Sequence, residues 1–162
     1  MVGRVLSDAS PLIGLARVDG LPWLQALFGT VWVPQEVWRE VLPGQNLPDE
    51  RTLLAAFERG ELRICAATPL VPLLPELDEG ETACIRLALA ESSPALLLID
   101  ERAGRAIAVE HGLQVAGTAA IIGMARARGL IPSARAVFTR LHASDFRISA
   151  EVITTILRRV GE

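Results

Sequence analysis

Short apolar runs without alternation recur along the chain, and the segments between them have apolar residues at helical spacing. Such runs are typical of strands covered on both faces of a parallel sheet. The sequence predicts five of them, at residues 4–7, 30–33, 62–65, 95–99 and 113–115. No hairpin signal joins any two runs. The pattern therefore predicts an α/β fold with a parallel sheet of about five strands and helices on both faces.

Capping residues and breakers indicate where the helices begin and end. Ser10 can cap a first helix that has Pro11 at its first position. Asp78 and Glu81 have the spacing of a capping box at the start of a later helix. Further helices are predicted over residues 21–28, 49–59, 118–128, 132–142 and 149–159, with one more opening at Pro34 and one ending at Gly112. No internal repeat or second domain is apparent.

Four acids occupy positions that one edge of such a sheet can bring together. Asp8 and Asp100 each end an apolar run, and their strands can be neighbours in a doubly wound sheet. Glu81 opens the helix before the Asp100 strand, and Glu40 follows the second strand by one helix. Each acid also has a structural interpretation. Asp8, Asp100 or Glu101 can start a helix, Glu81 can be only a capping partner, and Glu40 can be a solvated helix residue.

Carboxylates held close together raise one another's pKa values unless a cation neutralises them. A ligand set made only of oxygens suits Mg²⁺ or Mn²⁺ rather than zinc. His111 and His142 fall in no motif, so a metal ion rather than an imidazole is expected to activate an attacking water. Cys65 and Cys84 lie in apolar surroundings and predict buried thiols rather than a disulfide scaffold or a zinc site.

The charge balance limits the functions available to the chain. A net charge of −3 and a pI of about 5.5 argue against a protein that coats nucleic acid, but not against a nuclease with an acidic site. No apolar stretch is long enough to span a bilayer. Asp8 and Pro11 interrupt the first apolar run, so the amino terminus does not have the pattern of a signal peptide. We therefore expect a cytoplasmic protein without membrane partners.

Four stretches together resemble the PIN-domain nucleases, which include the VapC-type toxins and a branch known as predicted PIN-like nucleic-acid-binding proteins. They are SDASPLIGLA with Asp8, VPQEVWREVL with Glu40, GETACIRLA with Glu81, and LLLIDERAGRAIAVEHGLQVAGTAAIIGMARARGLI. The resemblance covers nearly the whole chain. It implies a single PIN-like domain over residues 1–162, folded as a three-layer α/β/α sandwich.

The same resemblance implies a metal-dependent endonuclease that usually acts on RNA, here the toxin of a toxin–antitoxin pair. Asp8, Glu81 and Asp100 are expected to hold Mg²⁺ or Mn²⁺, with Glu40 acting directly or through water. Glu36 competes with Glu40 for the place of the second acid. Two departures from the family pattern stand out. The third acid is Glu where toxin relatives usually have Asp, and the fourth can be Asp100 or Glu101 because the usual Thr-x-Asp pattern is absent.

RNA phosphates are expected at Ser10, Arg102, Arg105 and Thr118. A solvated helix face explains the two arginines equally well, and a plain helix cap explains Thr118. The alternative function is a non-catalytic PIN-like module that binds RNA or a protein. A phosphatase of the haloacid-dehalogenase type ranks low, because it needs a second Asp two residues after the first, where this chain has Ser10.

Partners beyond RNA are suggested by the surplus of apolar residues near the first helices. Trp23, Trp32 and Trp38 lie there and predict an exposed apolar patch that forms a homodimer or receives an antitoxin helix. Burial of the three indoles in the core explains the same residues equally well.

Overall fold

The computed structural model describes residues 3–162, so residues 1 and 2 of the predicted domain lie outside the described residues. Five parallel strands form one sheet in the order β3-β2-β1-β4-β5. They are β1 (Val5–Ser7), β2 (Val31–Val33), β3 (Leu62–Ile64), β4 (Leu96–Leu98) and β5 (Gln114–Ala116). The predicted α/β fold with five parallel strands is confirmed.

Helices cover both faces of the sheet and complete a three-layer α/β/α sandwich. Within residues 3–162 they are α1 (Ala9–Arg17), α2 (Leu21–Phe28), α3 (Gln35–Val41), α4 (Pro48–Glu58), α5 (Glu79–Ala90), α6 (Arg102–Glu110), α7 (Thr118–Ala127), α8 (Ala134–Ala143) and α9 (Ala150–Val160). The helix predicted from residue 132 begins two residues later. There the Ser133 hydroxyl accepts the Ala136 N–H at 3.1 Å and fixes the first turn.

Burial is greatest in the central strands: β1 is buried throughout and β4 nearly so, whereas the edge strands β3 and β5 are partly exposed. Leu97, Leu98 and Ile99 are fully buried, as are Leu12 and Leu15 of α1. Burial of one such side chain stabilises the fold by roughly 1.5–3 kcal/mol. A second cluster of buried residues joins α7, α8 and α9 on the C-terminal side of the molecule. The C-terminal helices are therefore packed into the domain.

The strand order brings the ends of β1 and β4 together. Ser7 pairs with Leu98, and the N–H of Asp8 donates to the carbonyl of Leu98 at 2.9 Å. The chain leaves β1 toward β2 on one side and returns as β4 on the other, so the topology reverses between β1 and β4. Open α/β sheets bind ligands at the carboxyl ends of the strands at such a point.

The three tryptophans pack against the core, and each keeps part of its surface exposed. Trp23, Trp32 and Trp38 are all partly buried, and Trp38 makes an edge-to-face contact with Phe57 at 4.2 Å between ring centroids. The most exposed large apolar residues are Leu70, Val71 and Leu73, which precede α5. Each indole is thus only partly buried, and the homodimer or antitoxin surface stays a prediction. No helix in the described residues is long and apolar enough to cross a membrane.

Candidate active site

Asp8 lies immediately after β1 at the N-cap of α1, yet its side chain makes no capping hydrogen bond to the helix. The residue is only 4 % exposed, and its Oδ1 atom is buried without a hydrogen-bond partner among the described residues. Buried polar atoms in native proteins are nearly always paired, so an orphan of this kind requires an explanation. Helix capping, the structural interpretation of Asp8, does not supply one.

Other acids surround Asp8 and add to the cost of its charge. Its pKa is raised from 3.8 to about 7, mainly because burial disfavours the charged form and also because Asp78, Glu40 and Glu81 are nearby. The N–H of Ala9 acts in the opposite direction. Asp8 is therefore a carboxyl group whose ionised form lacks sufficient stabilisation within the protein.

Gly80 shows how closely these acids approach. A Cβ atom at this position would lie 2.7 Å from Asp8 Oδ1 and 3.4 Å from Glu40 Oε2. The missing side chain lets the first turn of α5 pass directly over the two carboxylates. Glu40 is exposed as a residue, but partial burial of its carboxylate and the nearby charge of Asp78 raise its pKa. The predicted acids Asp8 and Glu40 therefore lie at the same place.

Glu81 has two roles in this geometry. It completes the predicted capping box: its carboxylate accepts the Asp78 N–H at 3.1 Å, and its N–H donates to Asp78 Oδ1 at 2.8 Å. Glu81 is nevertheless only 5 % exposed, and burial, Asp78, Glu101 and Glu40 raise its pKa despite the bond from the Asp78 N–H. A capping interaction and membership of the acid cluster are therefore compatible.

Asp78 belongs to the cluster as well, although the sequence suggested only a helix cap. Its charge raises the pKa of Asp8, Glu40 and Glu81 alike. A sequence signal existed, since a capping box places its two acids three residues apart at one helix end. Whether that end faces Asp8 depends on tertiary packing.

Asp100 follows β4 at the same edge of the sheet, but its surroundings differ from those of Asp8. Oδ2 accepts hydrogen bonds from the hydroxyls of Ser10 at 2.7 Å and Thr118 at 2.8 Å. Oδ1 accepts the backbone N–H of Thr118 at 2.7 Å. Two of the predicted phosphate-binding residues, Ser10 and Thr118, are thus occupied in holding Asp100.

Glu101 is the next residue and the N-cap of α6, without a capping bond from its side chain. It is exposed, and its charge contributes to the raised pKa of Glu81. Of the two candidates for the fourth acid, Glu101 acts electrostatically on Glu81, whereas Asp100 accepts hydrogen bonds from hydroxyl groups of neighbouring helices.

Arg102 and Arg105 lie on the first turn of α6, beside Asp100. Both line a groove of about 1100 Å³ that also contains Ser10, Asp100 and Glu101. Gly117 keeps this end open, because a Cβ atom there would lie 2.7 Å from Arg105 Nη1 and 2.8 Å from Asp100 Oδ1. The structure thus brings the predicted arginines to the acid-bearing edge.

The residues at Asp8 fit a hard divalent cation by three criteria. Asp8 Oδ1 is an orphaned buried acceptor, Gly80 approaches it closely without a side chain, and the charged groups that act on it are all carboxylates. Among residues 3–162, however, no three Asp, Glu, His or Cys side chains converge closely enough in this structure to hold a metal ion. Cys65 and Cys84 are free, buried thiols, as predicted.

The molecule is a parallel α/β sandwich with acids at the carboxyl ends of β1 and β4. It therefore belongs to the class of α/β proteins that have an acidic site at the topological switch point of the sheet. The model of a family described as PIN domain matches residues 4–162. The chain belongs to this PIN-domain family. PIN domains are generally nucleases that use divalent metals, so the chain has a nuclease-type fold. No curated protein matches the chain significantly.

Proposed function

We propose that the protein is a Mg²⁺- or Mn²⁺-dependent endoribonuclease. The observation that supports this most strongly is the buried, unpartnered Oδ1 of Asp8 among Glu40, Asp78 and Glu81. A carboxylate cluster of this kind costs stability in the free protein. Such a cost at a functional site is tolerated where activity requires it.

In this proposal Asp8, Glu81 and Glu40 hold the ion, with Glu101 or Asp100 as the fourth acid. When bound, such an ion lowers the pKa of water and offsets charge that develops on the phosphate. Ser10 and Thr118 keep the Asp100 carboxylate in one orientation through their hydroxyl groups.

Arg102 and Arg105 supply the positive charge on the substrate side. Their guanidinium groups can pair with the phosphates that flank the cleaved bond, which positions the strand without selecting its bases. They lie at the start of α6, next to Asp100, and line the same groove as Asp100 and Glu101.

The test is cleavage of a mixture of purified RNAs by the full-length protein in Mn²⁺, with EDTA and with Asp8→Asn as controls. We expect cleavage that needs both the metal and Asp8. Products that persist in EDTA or with the variant would contradict the proposal.

The alternative is a non-catalytic PIN-like module that binds RNA or a protein. One observation favours it: in the described part of the chain no three potential ligands converge to hold a metal. The two functions separate in the same experiment, because the module would bind RNA in Mn²⁺ and leave it intact.

We further propose that the enzyme acts in the cytoplasm as the toxin of a toxin–antitoxin pair. Induced expression of the wild type in a bacterial host should arrest growth, and Asp8→Asn should not. A gene for a small DNA-binding protein beside this one would support the pairing. The predicted homodimer belongs to the same proposal, and sedimentation of the purified chain tests it.

A further inference from the structure

The groove that contains Asp100 and Glu101 extends well beyond these two acids. It runs between α6, the β5–α7 junction and α9, and the segment 146–149 before α9 closes one side. Two arginines from this far side, Arg147 and Arg159, line it together with Arg102 and Arg105. The groove thus has guanidinium groups on both walls.

The distribution of charge along the chain distinguishes this part of the molecule. Residues 102–162 contain nine arginines and four acids, whereas residues 1–101 contain seven arginines and fifteen acids. The net charge of −3 is therefore the sum of a basic C-terminal part, residues 102–162, and an acidic N-terminal part, residues 1–101. Most of the residues that line the groove belong to the basic part, and three of them, Ser10, Asp100 and Glu101, belong to the acidic part.

None of the four groove arginines makes an ion pair or donates a side-chain hydrogen bond within residues 3–162, in contrast to Arg4, Arg17, Arg59, Arg126 and Arg140. Unpaired arginines occur elsewhere on the surface too, but these four share one concave surface. Glu151 is the one acid that lines the groove away from Asp100 and Glu101. The positive charges there are available to an anionic ligand.

The remaining lining of the groove is apolar. Val109, Val115, Ile148 and Val152 contribute to it, and so does Phe146, whose ring also packs against Gly14 and the second buried cluster. Proteins that bind single-stranded nucleic acid combine a basic groove along the backbone with apolar or aromatic surface for the bases. A duplex hides its bases and is contacted through its outer backbone. The mixed lining therefore favours one strand over two.

We propose that this groove binds a single strand of RNA and guides it to the acid cluster. Arg147 and Arg159 contact phosphates one or more nucleotides away from Arg102 and Arg105, and the apolar lining receives unpaired bases. The inference rests on the proposed function, since it takes RNA as the ligand. It adds a binding surface built from the last helix, far from the acids in the sequence.

The test measures binding rather than cleavage. A fluorescein-labelled single-stranded RNA of about 12 nucleotides, within the usual range of site sizes, is titrated with full-length protein in EDTA at several salt concentrations. The double variant Arg147→Gln/Arg159→Gln should bind about tenfold more weakly. The slope of log K against log salt should fall by about 1.4, because each lost phosphate contact on a single strand contributes about 0.7.

The matched control is Arg128→Gln/Arg158→Gln. It removes the same charge, and Arg158 is the neighbour of Arg159 on α9, but neither control residue lines the groove. We expect its affinity within about twofold of wild type and an unchanged salt slope. Thermal unfolding of both variants checks that they are folded.

Several outcomes would overturn the inference: equal losses in the two double variants, no loss in the groove variant, or duplex RNA of the same sequence bound as tightly as the single strand. Binding that is lost in the groove variant while the wild type fails to cleave RNA in Mn²⁺ would refute only the nuclease. Cleavage with undiminished binding by the groove variant would refute only the groove.

Discussion

Asp8 and Asp100 end neighbouring parallel strands, yet the protein treats the two carboxylates in opposite ways. Asp8 is buried, faces three other acids and has one oxygen without a hydrogen-bond partner. Asp100 is partly buried and accepts three hydrogen bonds at 2.7–2.8 Å. The same residue type at equivalent ends of adjacent strands is thus strained in one place and satisfied in the other.

The difference indicates that the two carboxylates have different roles, one in binding a ligand and one in stabilising the fold. An orphaned buried carboxylate is destabilised unless something from outside the protein supplies positive charge, so Asp8 has the properties of a ligand. A carboxylate that already accepts three hydrogen bonds gains less from a cation. The Asp100 carboxylate instead links the first turns of α1 and α7 to the start of α6. We therefore expect changes at Asp8 to act mainly on metal binding and activity, and changes at Asp100 to act mainly on stability.

The largest expected effect is loss of RNA cleavage by Asp8→Asn. A carboxamide keeps the size of the side chain but not its charge, and a bound metal contributes several kcal/mol to catalysis, or about 10³-fold in rate. Initial rates in Mn²⁺ measure the effect. Stabilisation of the protein by added Mn²⁺, followed by thermal unfolding, should shrink in parallel. Equal stabilisation of wild type and variant would show that Asp8 is not a ligand.

The pH dependence of stability gives a second prediction for the same variant. The pKa of Asp8 is about 7 in the folded protein, against 3.8 as the ordinary value. Between these values the folded state binds the proton more tightly than the unfolded state, so stability falls as pH rises from about 4 to about 7. Asn does not ionise, so Asp8→Asn does not lose stability in this pH range. In EDTA at pH 8 the variant should be more stable than wild type by about 2–4 kcal/mol. Denaturant unfolding at pH 4 and pH 8 tests this, since the advantage should disappear at pH 4.

Glu81→Gln comes next and separates the capping role from the cluster role. Glutamine can still accept the Asp78 N–H in a capping box, so α5 should keep its first turn and its stability. Cleavage should fall by about 10²-fold, comparable with the loss of one electrostatic contact at a reacting centre. Rates and thermal unfolding are measured together. A large loss of stability without a loss of activity would assign Glu81 to capping alone.

Asp100→Asn should have the opposite sign in stability from Asp8→Asn. The variant loses the charge that strengthens the bonds from Ser10 and Thr118, and hydrogen bonds to charged groups are worth about 1.5–3 kcal/mol each. The hydroxyls can reorient and keep part of this, so we expect a net destabilisation of about 1–3 kcal/mol. Denaturant unfolding in EDTA at pH 8 compares the two variants directly. If both variants changed the free energy of unfolding in the same direction, the proposed difference in role between Asp8 and Asp100 would be wrong.

The sequence predicted the fold because buried strands leave an unmistakable pattern of apolar residues. It also predicted the edge at which the acids gather, since parallel strands all end on the same side. It did not decide between Asp100 and Glu101, because the turn between β4 and α6 determines which side chain faces which neighbour. Arg147 was missed for a related reason. Its place in the groove depends on how α9 packs against α7, and a local pattern contains no information on that packing.

The smallest predicted effect concerns how Asp100 is held. Thr118 is fully buried, and Thr118→Val keeps the shape of the side chain and the backbone N–H bond to Oδ1 while removing the hydroxyl bond to Oδ2. Ser10 still donates to that oxygen, so the loss of stability should be about 0.5–1.5 kcal/mol.

Thr139→Val is the matched control, because its hydroxyl is exposed and donates only to a helical carbonyl, that of Arg135. Denaturant unfolding should show a clear loss for the first variant and little for the second, while stabilisation by Mn²⁺ stays at the wild-type level in both. If Thr118→Val also reduced the stabilisation by Mn²⁺, Asp100 would be a metal ligand whose orientation depends on Thr118, and the contrast with Asp8 would be one of degree.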